Sequence, residues 1–265
     1  VKISINGVDI SYDDHGIGLP VLFLHAFPLN RSMWTELMTA LLSEQRYRLV
    51  ACDYRGFGES SLSNGILTME TVADDIVALM DALGMKQAVL CGLSMGGYVA
   101  FAMLRKYPQR IAGLIFADTK PAADTEEGKI NRERLAELAL TRGTQAVADL
   151  QIPRLLAERT RRQQPEVEVR VRQLIAANTV QAIAAASRGM AEREDASDLL
   201  AQIVCPTLVI VGEQDLVTPP DLVQRYVEHI PKAQCVVLAQ SGHLTCLEQP
   251  EAFLAQVRAF LQQNF

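Results

Sequence analysis

The sequence predicts an α/β fold, a mostly parallel sheet flanked by helices, with a helical cap inserted between two of its strands. Three observations carry this. Short apolar runs of strand length alternate with longer stretches of helical period toward both ends of the chain. One long stretch, 120–202, breaks that rhythm with no strand-like run. A chain of 265 residues, 49% hydrophobic, fits one globular core with an insertion.

The chain should open with an antiparallel hairpin, because KIS and VDISYDD flank Asn6-Gly7, a dipeptide suited to a type I′ turn. VLFLH (21–25), YRLVACD (47–53), QAVLCG (87–92), IAGLIFAD (111–118), TLVIVG (207–212) and AQCVVLA (233–239) read as buried strands. Helical period marks 33–43, 69–83, 96–106 and 220–229, and 250–262 closes the chain. Such alternation builds parallel strands joined by right-handed crossovers. The stretch 120–202 is rich in Ala, Arg, Glu and Gln, with helical pieces expected near 127–141, 144–150, 165–176 and 179–191. A structureless loop of that length is improbable in a compact domain, so a cap over the strand ends is expected. The expected division is a core of 1–119 and 203–265 and a cap of 120–202.

Composition excludes several function classes. With 25 basic against 31 acidic residues the net charge is -6, and no basic stripe runs along a predicted face, so nucleic acid is not an expected partner. The apolar runs fall short of the ~18 residues a membrane span needs. The opening VKISINGVDI lacks the apolar stretch of a targeting peptide. Five cysteines, odd in number, far apart and without a C-x-x-C pair, suggest neither a disulfide framework nor a zinc site. A cytoplasmic setting is the expectation; the oligomeric state is not specified.

The stretch CGLSMGGYVA, 91–100, raises the question of chemistry. Gly92-Leu93-Ser94-Met95-Gly96 lies between a predicted strand and a predicted helix, the context that a G-x-S-x-G nucleophile turn requires. Ser94 is the candidate nucleophile. A serine needs a base, and the base needs an orienting carboxylate. Of four histidines, His15 and His229 are expected to be solvated and His25 ends a strand. His243, in the loop between the last strand and the final helix, is the candidate base. Asp215, after a strand in VIVGEQDLVTPP, is the favoured acid, with Asp118 and Glu213 as alternatives. Two backbone N–H donors are needed for an oxyanion, one from Met95 and one from Phe27 in HAFP. No metal or organic cofactor is required by this set.

HAFPLNRSMW, DYRGFGES, GLSMGG, GEQDLVTPP and SGHLTCLEQP, in this order, resemble the α/β-hydrolase superfamily. Within it the chain looks most like small serine-nucleophile esterases, 3-oxoadipate enol-lactonases and cofactor-free haloperoxidase-like hydrolases. One departure is Ala26, where relatives usually carry glycine. The resemblance implies that Asp53, Arg55 and Ser60 are scaffold, and that a serine nucleophile favours acyl transfer to water from a small-molecule ester or lactone. Peracid formation is implied as a side activity. A carbon-carbon bond hydrolase using the same triad, and a non-catalytic ligand receptor on a hydrolase scaffold, remain open. Most arginines of the insertion, Arg132, Arg134, Arg154, Arg159, Arg161, Arg162, Arg188 and Arg193, are expected on solvated faces. Leu135, Leu138, Ile152 and Leu156, with Phe27 and Met95, are expected to enclose the acyl group.

Overall fold

Asn6 and Gly7 both take positive φ, 48° and 78°, and so turn β1 (Lys2–Ile5) back onto β2 (Val8–Gly16). In this computed structural model, which describes residues 1–265, that hairpin forms one edge of a single eight-stranded sheet. The remaining strands are β3 (Leu19–Leu24), β4 (Tyr47–Cys52), β5 (Ala88–Leu93), β6 (Ile111–Ala117), β7 (Thr207–Gly212) and β8 (Ala233–Leu238). Their spatial order is β1-β2-β4-β3-β5-β6-β7-β8. The two pairings made by β2 are antiparallel and all others parallel.

Every residue of β5 is buried, and since successive side chains point to opposite faces, both faces are covered there. The last strand departs from the expectation. β8 was expected to be buried, but it is the far edge of the sheet and only Leu238 is fully enclosed. Nothing pairs with its outer side.

A short 3-10 turn, Arg31–Trp34, leads into α1 (Thr35–Leu42); α2 (Met69–Ala82) and α3 (Met95–Lys106) follow. Between β6 and β7 come α4 (Glu126–Leu155), α5 (Glu158–Gln163), α6 (Pro165–Ala176) and α7 (Val180–Ala191). The chain closes with α8 (Pro220–Val227), α9 (Thr245–Glu248) and α10 (Pro250–Asn264). α1 packs on α10 and α2 on α3.

In the insertion, Gly143 (φ 80°, ψ 179°) interrupts α4 between the two helical pieces expected there, and the second piece runs on to Leu155. α5, with the sequence ERTRRQ, has no apolar repeat and was not expected. Thr125 and Thr179 cap α4 and α7 by accepting the N–H groups of Gly128 and Ala182, each at 3.1 Å.

The arginines of this region are not uniformly solvated. Arg193 is buried, stacks 4.1 Å above the Tyr98 ring, and donates to the carbonyls of Met190 and Ala122 and to Asp124. A planar guanidinium that stacks on a ring and donates through both terminal nitrogens tolerates burial that a lysine would not, although its Nε–H has no partner.

The topology explains where a site can form. β3 leads to β4 on one side, while β5 pairs with β3 on the other, in a register that sets Leu24 beside Gly92. The loops leaving β3 and β5 therefore diverge and open a crevice at the carboxyl ends of the strands.

Candidate active site

Ser94 sits where β5 becomes α3, with φ 54° and ψ −110°. That backbone conformation is strained for a residue with a Cβ, and the surrounding contacts must hold it. They are tight. A Cβ on Gly92 would lie 2.4 Å from the Gly96 carbonyl oxygen, and one on Gly96 would lie 2.1 Å from that of Leu24. Only glycine permits strand and helix to approach this closely.

The turn aims Ser94 at His243. The Ser94 hydroxyl donates to His243 Nε2 at 2.8 Å, and His243 Nδ1–H donates to Asp215 Oδ2 at 2.8 Å. All three residues are buried. Asp215 is itself fixed: Oδ1 accepts the N–H groups of Val217 and Thr218 at 2.7 and 2.9 Å, and Oδ2 accepts the Thr218 hydroxyl at 2.5 Å. Burial alone would raise its pKa, but His243 and the Thr218 donors together hold it below the ordinary carboxylate value.

The two alternative acids lie elsewhere. Asp118 accepts the Gly212 N–H at 2.9 Å and the Thr245 hydroxyl at 2.5 Å, which ties the end of β6 to β7 and α9. Burial, and then the nearby Asp215 charge, push its pKa well up. Glu213 is exposed and accepts the Gln240 N–H at 2.9 Å. Neither is bonded to His243.

His15 and His229 are exposed. His25 is enclosed, stacked 3.9 Å from the Tyr54 ring, and accepts the Tyr54 N–H at Nε2 (3.2 Å). Burial, assisted by the Arg31 charge, lowers its pKa to about 3, so it is a neutral part of the loop. Asp53 accepts the N–H groups of Arg31 and Glu59 at 2.8 and 3.0 Å, and its carbonyl accepts the Ser60 hydroxyl at 2.8 Å. Arg55 pairs with Asp75 beneath the first hairpin.

The backbone N–H groups of Phe27 and Met95 donate to no protein acceptor. The Phe27–Pro28 peptide is cis. Ala26 does not have positive φ, so the loop accommodates its Cβ.

Above these groups lies a cavity of about 200 Å³. Ser94, His243, Phe27, Tyr98 and Val217 line its floor, and Lys120, Leu135, Arg154, Leu155 and Met190 are among the residues that line it from the insertion. Of the expected acyl-enclosing side chains, Phe27 and Leu135 reach the cavity. Met95, Ile152, Leu156 and Leu138 do not; they pack against the apolar core on sides turned away from it. Leu155 takes the place expected of Leu156. Sequence reasoning also passed over Lys120, although it follows a strand end two residues after Asp118. Glu248 went unassigned too; a single charge in the apolar run LTCLEQP was the available signal. No group of three or more His, Cys, Asp or Glu side chains is placed to hold a metal ion.

A family model described as the alpha/beta hydrolase fold matches residues 20–250. The chain belongs to the α/β-hydrolase family. Among curated relatives of this family, 3-oxoadipate enol-lactonase 2 of Acinetobacter baylyi is 30% identical over 92% of this chain and 88% of its own. A thermophilic esterase from Thermogutta terrifontis, solved with malate bound, superposes with a TM-score of 0.95 at 45% identity, covering 99% of this chain and 98% of that one. The enol-lactonase of Burkholderia xenovorans superposes with a TM-score of 0.91 at 27% identity, over 99% and 100% of the two chains.

Proposed function

We propose that the protein is a serine hydrolase that cleaves small carboxylic esters or lactones through an acyl-enzyme on Ser94. The observation that carries this reading is the continuous relay from Ser94 through His243 to Asp215, 2.8 Å at each step, at the floor of an open cavity. Esterase and enol-lactonase relatives set the reaction class. In the first half-reaction Ser94 Oγ attacks the carbonyl carbon while His243 Nε2 takes the hydroxyl proton. Asp215 holds the imidazole in the tautomer that leaves Nε2 free to accept, and stabilises the imidazolium that forms. The N–H groups of Phe27 and Met95 receive the oxyanion, helped by the amino end of α3. His243 then protonates the leaving alkoxide. In the second half-reaction water attacks the acyl carbon while His243 takes its proton, and His243 returns that proton to Ser94 Oγ as the acyl–oxygen bond breaks and the acid is released.

The insertion, 120–202 on this reading, serves as a cap that shapes the space around the acyl and leaving groups, over a core of 1–119 and 203–265. Lys120 and Arg154 line the cavity without a carboxylate partner, while the one acid there, Asp124, is occupied by Arg132 and Arg193. Two free cations favour a substrate that carries an anionic group beside its ester.

The deciding experiment is hydrolysis of a panel of short esters and lactones, with labelling by a fluorophosphonate probe followed by peptide mass analysis. The expected result is turnover, label on Ser94, and a loss of kcat of up to about 10⁶ in Ser94→Ala. No turnover across the panel together with an unlabelled Ser94 would favour a ligand-binding role.

A further inference from the structure

Glu248 is a buried carboxylate, 1% exposed, that the reaction above does not use. It has no cationic partner. Four donors satisfy it instead, and they come from two different parts of the molecule. Oε1 accepts the N–H groups of Gly242 and Leu244, at 2.9 and 3.3 Å, the residues on either side of His243. Oε2 accepts the Ala157 N–H at 2.9 Å and the Thr160 hydroxyl at 2.6 Å, both from the insertion, where α4 passes into α5. The middle N–H of the catalytic loop, that of His243 itself, donates to the Leu155 carbonyl at 2.9 Å.

We propose that Glu248 is a positioning residue that makes the alignment of His243 depend on the seating of the helical insertion. This rests on the hydrolase reading above. Residues 242–244 belong to no strand, and α9 begins only at Thr245, so regular secondary structure does not fix their backbone. Their three N–H groups are held by one side chain and by the insertion. A Cβ on Gly242 would lie 2.7 Å from the Ala157 nitrogen, so the two segments are already in backbone contact.

Lifting the insertion would strip Oε2 of both donors and leave a buried carboxylate half satisfied, which is costly in an apolar setting. The carboxylate then has to move toward water or other donors, and Gly242 and Leu244 move with it. His243, between them, leaves its line between Ser94 and Asp215. The coupling is reciprocal, so a substrate gripped by both floor and insertion holds the base in line.

The test uses the full-length protein and three readouts: kcat and KM on a hydrolysed ester, thermal midpoint, and the low-field NMR resonance of the His243 Nδ1 proton. Glu248→Gln keeps the shape but offers one acceptor oxygen instead of two. It is expected to lower kcat roughly tenfold to a hundredfold, the scale of an ångström-sized misplacement, with a smaller change in KM. The Nδ1 resonance should weaken or vanish well below the thermal midpoint.

Thr160→Val alters only the insertion and should act in the same direction, by roughly twofold to tenfold. It also decides the matter should Glu248→Gln not fold. A lowered midpoint with kcat and the proton resonance of the wild type, in whichever variant folds, would reduce Glu248 to a structural staple and overturn the proposal. Wild-type turnover with label on Ser94 tests the hydrolase reading separately, so failure of one reading is distinguishable from failure of the other.

Discussion

The strand-end loops and the helices between β6 and β7 reach the same cavity with different means of support. On the floor, Ser94 is fixed by a strained backbone and glycine contacts too close for any other residue, and Asp215 by three donors within its own turn. Across the insertion, many of the connections are ion pairs at or near the surface, such as Arg172 with Asp149 and Glu168, or Arg188 with Glu133. Exposed pairs of that kind contribute about 0–1 kcal/mol each. The floor is built to hold one geometry, whereas the insertion can exchange these surface side chains at little cost. On the proposed function, reaction chemistry belongs to the first and selectivity to the second, and each substitution below tests that division.

The largest expected effect lies in the floor. Asp215→Asn should lower kcat by about 10⁴, since an amide facing Nδ1 favours the wrong imidazole tautomer. Asp118→Asn should cost far less activity, because Asp118 bonds Gly212 and Thr245 rather than His243. Steady-state kinetics of the two variants on one ester decide it, and a larger loss in Asp118→Asn would reassign the acid.

The floor was legible in the sequence, and so were three of the insertion's four helices, but which of its side chains face the cavity was not, for physical reasons. A nucleophile turn requires small residues at fixed offsets, so Gly92, Ser94 and Gly96 announce it locally. Asp215 and His243 each follow a strand, and all parallel strands deliver their ends to one edge. The side chains lining the cavity from α4 depend instead on how that helix is rotated and broken. Gly143 interrupts it, and the register that turns Leu155 to the cavity and Leu156 away from it, both buried, is set by tertiary contacts. Lys120 was passed over because an unpaired lysine at a strand end has no pattern; only the enclosing cavity distinguishes it. Glu248 acquires its role from partners 88 and 91 residues away in the chain.

The second effect lies in two cations of the insertion, Lys120 at its root beside the end of β6 and Arg154 in α4. The wild type should hydrolyse a succinate or glutarate half-ester with kcat/KM roughly tenfold to a hundredfold above that of the neutral diester. In Lys120→Met and in Arg154→Gln this ratio should fall toward unity, and added salt should compress it in the wild type. A wild-type ratio near one would remove the anionic substrate while leaving ester hydrolysis intact.

A third, smaller effect isolates the insertion. Leu135→Ala and Leu155→Ala enlarge the cavity, so the ratio of kcat/KM for butyryl over acetyl esters should rise by up to about tenfold. Phe27 and Val217 on the floor stay in place, and the absolute rate on acetyl esters should change less than that ratio. Identical chain-length profiles in both variants and the wild type would show that the insertion does not bound the acyl group.

The smallest effect separates the two regions by acid. Burial would raise the pKa of Asp124, but hydrogen bonding from Arg193 and the charges of Arg132 and Arg193 lower it from 3.8 to about 2. A carboxylate depressed in the folded state contributes stability that is complete above its unfolded pKa and is lost as pH falls from about 4 toward 2. Asp124 links the segment after β6 to α4 through Arg132 and to the end of α7 through Arg193, so its protonation loosens the root of the insertion. Asp118 has the opposite sign. Its pKa is raised in the fold, so its contribution is fully present below the unfolded value and is lost only as pH rises. Acid therefore acts against the root of the insertion through Asp124 and, on the floor, against the turn that holds Asp215, but not against the Asp118 anchor of β6. Hydrogen exchange across pH 4 to 2, with correction for intrinsic rates, should show amides of α4 and α7 losing protection while β3, β5 and β6 keep theirs. Simultaneous loss in both regions would mean that the insertion and the sheet unfold as one unit.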